Sequence, residues 1–375
     1  MKILIVYATA GTGHRRVAQS LYDYLQDNCQ NLEIKIIDAL EKSNPIFRNI
    51  YIYGYDFLVN HALWLWQFSF WLTSIRFLNS LNRFLAFIIH RLNSTQLCRF
   101  LIQDNPDFII STHFLPSEIS ASLKRSKKIN SKIITVITDF GVHPFWVSEG
   151  TDVYVVPCGI TKEQLILEGV KEDKIKEFGI PVELKFFKKY DRDALCEKLN
   201  IQKHKFTVLM VTGSFGIGPI EEIINLLYKD VQILAVCANN RRLYTRLKNK
   251  NYPNTRVYGF VDNIEELMAV SDVIITKPGG VSISEILAME LLPIFISAIP
   301  GQETQNAKVL RKYKIGISPK KIEDIPGIVL DYKEHPQRIK DAKENIKAIK
   351  RPSTAGELCN AICPDSIRFA NCRPF

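Results

Sequence analysis

The stretch that most restricts this chain is Ile274-Ile275-Thr276-Lys277-Pro278-Gly279-Gly280-Val281-Ser282-Ile283-Ser284-Glu285. A short apolar run bounded by turn residues reads as a strand buried on both faces. The Pro-Gly-Gly turn ends it, and a helix opens at the next residues. Two residues without side chains then stand where a phosphate can meet bare backbone amides at a helix N-terminus. Glu285 lies about one turn further on, within reach of ribose hydroxyls. A nucleotide site at the carboxyl end of a parallel strand is the expectation.

Similar units recur along the chain. Strands are predicted at Ile3–Tyr7, Ile34–Ile37, Phe108–Ser111, Ile133–Thr138 and Val153–Val156, with a helix from His14 to Gln26 that places Val17, Ala18, Leu21, Tyr22 and Leu25 on one face. A second series follows at Val208–Thr212, Gln232–Cys237, Arg256–Tyr258, Val273–Ile275 and Pro293–Ile296. Alternating strands and helices imply parallel sheets covered on both faces. The fold class is therefore α/β: two doubly wound, Rossmann-like domains facing a cleft, with ligands at the strands' carboxyl ends. Gly179-Ile180-Pro181-Val182 and the charged stretch after it separate an N-terminal domain, 1–185, from a C-terminal one, 186–352. A tail, 353–375, carries a short helix near 355–363, with its last ten residues poorly ordered.

The 375 residues suit two such domains, and the formal net charge of +10 favours an acidic partner. Eight cysteines lack Cys-x-x-Cys or zinc-finger spacing, so free thiols in a reducing compartment and no metal site are expected. Met1-Lys2-Ile3-Leu4-Ile5-Val6 begins a buried strand at once, without the segments of a signal peptide, which points to the cytoplasm.

Residues 57–75 carry no Asp, Glu, Lys or Arg and hold three of the four tryptophans, Trp64, Trp66 and Trp71. Asn60, His61, Gln67, Ser69, Thr73 and Ser74 interrupt the run, which argues against a spanning helix. Over 51–132 the chain has nine Lys or Arg against four Asp or Glu, half of its charge surplus. Aromatic rings with basic flanks suit a helix lying on an anionic membrane surface. A buried helical hairpin is the competing reading. No nucleic-acid motif accompanies the charge, so nucleic acid is not an expected partner.

Chemistry concentrates after the strands. Ala10-Gly11-Thr12-Gly13-His14 follows the first strand and places His14 at a helix start, where the dipole keeps imidazole neutral, as a general base must be. Thr138-Asp139-Phe140-Gly141-Val142-His143-Pro144-Phe145-Trp146 follows another strand. There Asp139 is a carboxylate able to orient an imidazole, and Trp146 an apolar contact for a lipid. Thr112-His113 adds polar groups at the same edge. In the second series, Gly213-Ser214-Phe215-Gly216 makes a flexible loop suited to a diphosphate or a bound acceptor, and Gly259-Phe260-Val261 a surface for a flat base. Pro300-Gly301-Gln302-Glu303 brings an amide and a carboxylate that suit sugar hydroxyls, with a helix cap as the alternative.

In this order and over residues 1–310, these motifs resemble the monogalactosyldiacylglycerol synthase and processive diacylglycerol glucosyltransferase family, two-domain glycosyltransferases of the GT-B type in family 28. The resemblance implies a UDP-glucose or UDP-galactose donor and no further cofactor. Gly279, Gly280, Val281 and Ser282 would meet the diphosphate, Glu285 the ribose, Phe260 and Val261 the uracil, and Gln302 and Glu303 the hexose, with Gly213, Ser214 and Gly216 also binding the donor. Gly13, Asp139, His143 and Trp146 would line the diacylglycerol site, with His14 as base for inverting transfer to a β-glycoside. The enzyme would sit peripherally on the inner face of the cell membrane. The family often has Cys-Gly-x-Asn where this chain has Cys237-Ala238-Asn239-Asn240. A UDP-N-acetylglucosamine transferase acting on a polyprenyl-linked acceptor and a UDP-sugar epimerase are the alternatives on the same scaffold.

Overall fold

The structure is a computed structural model that describes residues 1–9, 11–213, 216 and 218–362. It divides into two units: Met1–Glu183 with Ile299–Gln305 and the chain from Arg351, and Leu184–Ala298 with Asn306–Lys350. Each is built on its own parallel sheet.

In the first unit, β1 (Lys2–Tyr7), β2 (Glu33–Asp38), β3 (Phe108–Ser111), β4 (Lys132–Val136), β5 (Val153–Val155) and β6 (Ile175–Lys176) form a sheet in the order β2-β1-β3-β4-β5-β6. Ile3, Leu4, Ile5 and Val6 are fully buried, as a strand covered on both faces requires. Its helices are α1 (Gly13–Asn28), α2 (Pro45–His61), α3 (Leu63–Ser74), α4 (Asn79–Asn93), α5 (Thr95–Asp104), α6 (Phe114–Arg125) and α7 (Gly159–Leu167). α1 buries Val17, Ala18, Leu21 and Leu25, one residue per turn or so along a single stripe. The chain order reverses at β1, whose neighbours are β2 and β3. The gap between the carboxyl ends of β1 and β3 is where such sheets bind ligands.

The second unit pairs β7 (Thr207–Val211), β8 (Gln232–Val236), β9 (Thr255–Tyr258), β10 (Val273–Thr276) and β11 (Leu292–Phe295) in the order β11-β10-β7-β8-β9, all parallel. The reversal falls between β7 and β10. Helices α8 (Arg192–Lys198), α9 (Ile220–Leu227), α10 (Arg241–Lys250), α11 (Ile264–Ala269), α12 (Gly280–Ala288), α14 (Ile325–Glu334) and α15 (Pro336–Ile349) belong to this unit, and α13 (Gln302–Lys312) begins in the first and continues into it. Ile223, Ile224 and Leu227 of α9 join Val208, Met210, Ile233, Ile275 and Ile294 in one core.

The units divide at Glu183/Leu184, two residues before the expected 185/186 boundary. The short helix expected near 355–363 is α16 (Thr354–Ile362); it packs Leu358 and Ile362 inward and belongs to the first unit, so it is no separate tail, and the last ten residues lie outside the described residues. Thr354 Oγ1 donates to the Phe178 carbonyl, and Arg351 pairs with Glu177. Finally, α16 brings Cys359 to Cys29 at the end of α1 as a disulfide, where free thiols were expected. Cys98, Cys158, Cys196 and Cys237 are free and buried.

Candidate active site

His14 occupies the first turn of α1, directly after the β1 turn. Asp38 anchors that turn: its carboxylate accepts from the Thr9 backbone and hydroxyl and from Leu40 N–H. The imidazole Nδ1 lies 2.7 Å from the Thr112 carbonyl at the end of β3, and 3.1 Å from Thr138 Oγ1 beyond β4. A carbonyl only accepts, so the proton is assigned to Nδ1 and the lone pair to Nε2. Thr112 Oγ1 returns a bond to the His14 carbonyl. Burial pushes the His14 pKa from 6.5 to about 4, opposed by the Thr112 hydrogen bond. The ring is thus neutral at physiological pH. Desolvation is the principal cause, where the sequence suggested the helix dipole.

His113 stands edge-on to His14, ring centroids 4.6 Å apart, and caps α6 by accepting from Leu115 N–H. Burial, then the nearby His14 and His90, hold its pKa well below the ordinary value. Trp146 is 2% exposed and packs against both rings and Phe114. It is a wall behind the histidines; the expected outward contact with a lipid does not match this burial.

His143 has a partner at each ring nitrogen. Its Nδ1 accepts from Phe145 N–H, and its Nε2 lies 3.2 Å from Thr73 Oγ1 on α3. Asp139 is half-buried at the start of the same loop. Phe70 of α3 lies against the His143 ring, centroids 4.8 Å apart, and burial depresses the His143 pKa to about 4. Close by, Trp66 Nε1 donates to the Pro300 carbonyl at 2.9 Å. The segment Ile299–Gln305, which carries Gln302 and Glu303, therefore rests on α3 within the first unit. Glu303 Oε2 accepts from Ile299 N–H, so this carboxylate also closes its own turn.

In the second unit, the Pro278-Gly279-Gly280 turn joins β10 to α12 as expected. Gly279 is the N-cap, with no side-chain acceptor for the first-turn amides of Gly280, Val281 and Ser282. Glu285 is buried one turn into α12. Gly213 follows β7 with φ +81° and open space where a Cβ would project. Gly216 has no such room: a Cβ there would strike the Cys237 carbonyl. Ser214 lies outside the described residues. Phe260, 65% exposed, and Val261 line a cavity of about 610 Å³ with Tyr244, Lys248 and Arg256.

Of the three tryptophans assigned to the membrane, Trp64 and Trp71 are 73% and 58% exposed, whereas Trp66 is half-buried. The apolar surface is wider than residues 57–75. Among the described residues, 17 of the 25 exposed large hydrophobics lie between Ile46 and Leu92, on α2, α3, α4 and their links. No helix of the described residues is long and apolar enough to cross a membrane.

Residues 14–182 match the family model for monogalactosyldiacylglycerol (MGDG) synthase, and residues 198–353 that for the glycosyltransferase family 28 C-terminal domain. The processive diacylglycerol beta-glucosyltransferase of Staphylococcus epidermidis is 30% identical over 376 residues, covering 97% of this chain and 92% of that one. The chain belongs to the family of MGDG synthases and processive diacylglycerol glucosyltransferases. Its fold is shared with Acinetobacter baumannii MurG, at TM-score 0.59 and 13% identity over 97% of this chain and 99% of that one. A Neisseria meningitidis UDP-GlcNAc 2-epimerase bound to UDP-GlcNAc has a TM-score of 0.60 and 13% identity over 97% and 100%. These likenesses show the fold, two parallel α/β sheets of the GT-B type, and nothing finer.

This member of the MGDG synthase family departs at Ala238, and the structure shows where the departure acts. Ala238 has φ +48°, a left-handed conformation that glycine adopts more readily. The adjoining Asn240 caps α10 and donates to the Gly216 carbonyl, tying this turn to the β7 loop. Sequence reading missed that role, and missed Asn306, a fully buried α13 residue whose Nδ2 donates to the Pro278 carbonyl. The available signal was an amide side chain one helical turn after Gln302 in the same motif.

Proposed function

We propose that this chain transfers a hexose from a UDP-hexose to the free hydroxyl of diacylglycerol, with inversion, while held peripherally at the inner face of the cell membrane. The observation that carries the proposal is the His14 geometry. A neutral imidazole, its proton held at Nδ1 by the Thr112 carbonyl, offers Nε2 as base at the switch point of the first sheet. As the acceptor oxygen bonds to the anomeric carbon, its proton passes to Nε2 and the bond to the UDP oxygen breaks. Attack from the face opposite the α-linked UDP gives a β-glycoside. The uncapped amides of Gly280, Val281 and Ser282, at the positive end of α12, suit the diphosphate charge that grows as UDP leaves. No metal is assigned a step in this reading, so transfer is expected to continue in EDTA.

The exposed aromatic and aliphatic side chains of α2–α4, with the local basic excess, suit the interfacial region of an anionic bilayer. Purified protein incubated with labelled UDP-glucose or UDP-galactose, diacylglycerol and a polyprenyl phosphate acceptor tests the assignment. Label should enter a β-glycosyl diacylglycerol. Labelling of the polyprenyl lipid alone, or epimerised nucleotide sugar without glycolipid, would reject it.

A further inference from the structure

α3 presents two different faces. Trp64, Phe68 and Trp71 recur at helical spacing on one side, and all three are exposed. Trp66, Phe70 and Thr73 recur at the same spacing on the other. Residues two apart on a helix lie about 200° apart around its axis, so Trp64 and Trp66 point in nearly opposite directions. The second face grips the Ile299–Gln305 segment. Trp66 Nε1 holds the Pro300 carbonyl at 2.9 Å, and Tyr55 stands edge-on to the Trp66 ring, centroids 5.2 Å apart. Phe70 lies so close beneath Gly301 that a Cβ there would come within 2.6 Å of its ring. Gly301 also has φ +100°, so glycine is required for both reasons. Thr73 reaches His143 in the loop whose Gly141 touches Gln305; a Cβ on Gly141 would come 2.5 Å from Gln305 Cβ.

We propose that α3 couples bilayer contact to sugar binding: its outer aromatic face enters the lipid interface, and its inner face, through Trp66 and Phe70, sets the Pro300–Glu303 turn that receives the hexose. This rests on the function proposed above and goes beyond it. Trp66 is then a positioning residue, distinct in role from its neighbours Trp64 and Trp71. An element that lipid orders on one face and that orders a ligand turn on the other gives positive coupling between the two ligands. Linkage makes that coupling reciprocal. The coupling should act on the hexose and leave the UDP moiety alone, because Gly279–Glu285 lie outside the segment that α3 holds.

The test measures Kd for UDP-glucose and for UDP, each with and without anionic vesicles lacking diacylglycerol, so that no turnover occurs. Vesicles should tighten UDP-glucose about threefold to tenfold, the effect of roughly one hydrogen bond, and leave UDP unchanged. Trp66→Phe keeps an aromatic ring and removes the donor. It should abolish the vesicle effect on UDP-glucose while flotation with vesicles and the thermal midpoint stay at wild-type values. Gly301→Ala should weaken UDP-glucose further still, with UDP binding retained. Equal tightening of UDP and UDP-glucose, or a vesicle effect that survives Trp66→Phe, overturns the coupling. Absence of glycolipid product with diacylglycerol present would instead indict the function assignment, so the two failures are distinguishable.

Discussion

At His14 the decisive quantity is which nitrogen keeps the proton. Because the Thr112 carbonyl fixes it on Nδ1, Nε2 is the proposed base, and replacing the ring should remove it without disturbing the second unit's amides. His14→Ala should lower kcat by about 10²–10⁴-fold with UDP affinity nearly unchanged, read by turnover and calorimetric binding. Normal turnover in that variant removes His14 from the role. Its pH dependence is also fixed in sign. The folded pKa is about 4 and the ordinary value 6.5, so the base stays neutral through that window. Initial rates should hold from pH 6.5 to 5, where an ordinary histidine would already be losing activity. Stability should move the other way. The unfolded chain binds the proton at higher pH than the folded one, so folding weakens as pH falls from 6.5 towards 4. His143 is depressed in the same sense and adds to the effect. A second residue-scale expectation concerns Ala238. Ala238→Gly relieves a left-handed alanine and should stabilise the second unit by about 1 kcal/mol, seen as a higher denaturant midpoint. His14 was legible because a Gly-x-Gly-His run after a strand is local. Thr112 and Thr138 were placed at the same sheet edge, but their bonds to the ring were not legible, since they stand 98 and 124 residues further along.

Elements were more legible than contacts. All ten strands expected from apolar runs exist, because both faces of a parallel strand are buried and the run carries its own signature. β6, with only Ile175 and Lys176, is too short to have one. The α2–α4 surface was read as one segment around three tryptophans, whereas apolar side chains extend outward from Ile46 to Leu92. Composition flagged the segment, but only tertiary packing shows that Trp66 turns inward. α13 gives the prediction at this scale. Its buried Asn306 holds the Pro278 carbonyl, so the first turn of α12 is fixed by a side chain from another helix. Asn306→Leu leaves that carbonyl unpaired and should cost about 1–3 kcal/mol of stability, with a looser Pro-Gly-Gly turn. UDP binding should weaken several-fold while vesicle flotation is unaffected. Unchanged UDP affinity would mean that the turn holds its shape without Asn306.

For the molecule as a whole, charge and apolar surface make separable contributions to membrane binding. The net charge is +10, and residues 51–132 supply +5 of it, in the span that also carries most of the exposed aromatic and aliphatic side chains. Each Lys or Arg near an anionic surface contributes about 1 kcal/mol, and salt screens that term, the Debye length falling from about 10 Å at 0.1 M to about 3 Å at 1 M. Burying Trp64, Phe68 and Trp71 among headgroups is a hydrophobic term that salt does not weaken. Flotation with anionic vesicles should therefore fall by at least tenfold between 0.1 and 1 M salt and then level off at a residual value. Neutral vesicles should show only that residual binding, with little salt dependence. Trp64→Ala combined with Trp71→Ala should remove the residual and leave the salt-sensitive part. Were binding to vanish entirely at 1 M salt in the unaltered chain, the apolar face of α3 would not enter the bilayer, and the surface from Ile46 to Leu92 would need a protein partner instead.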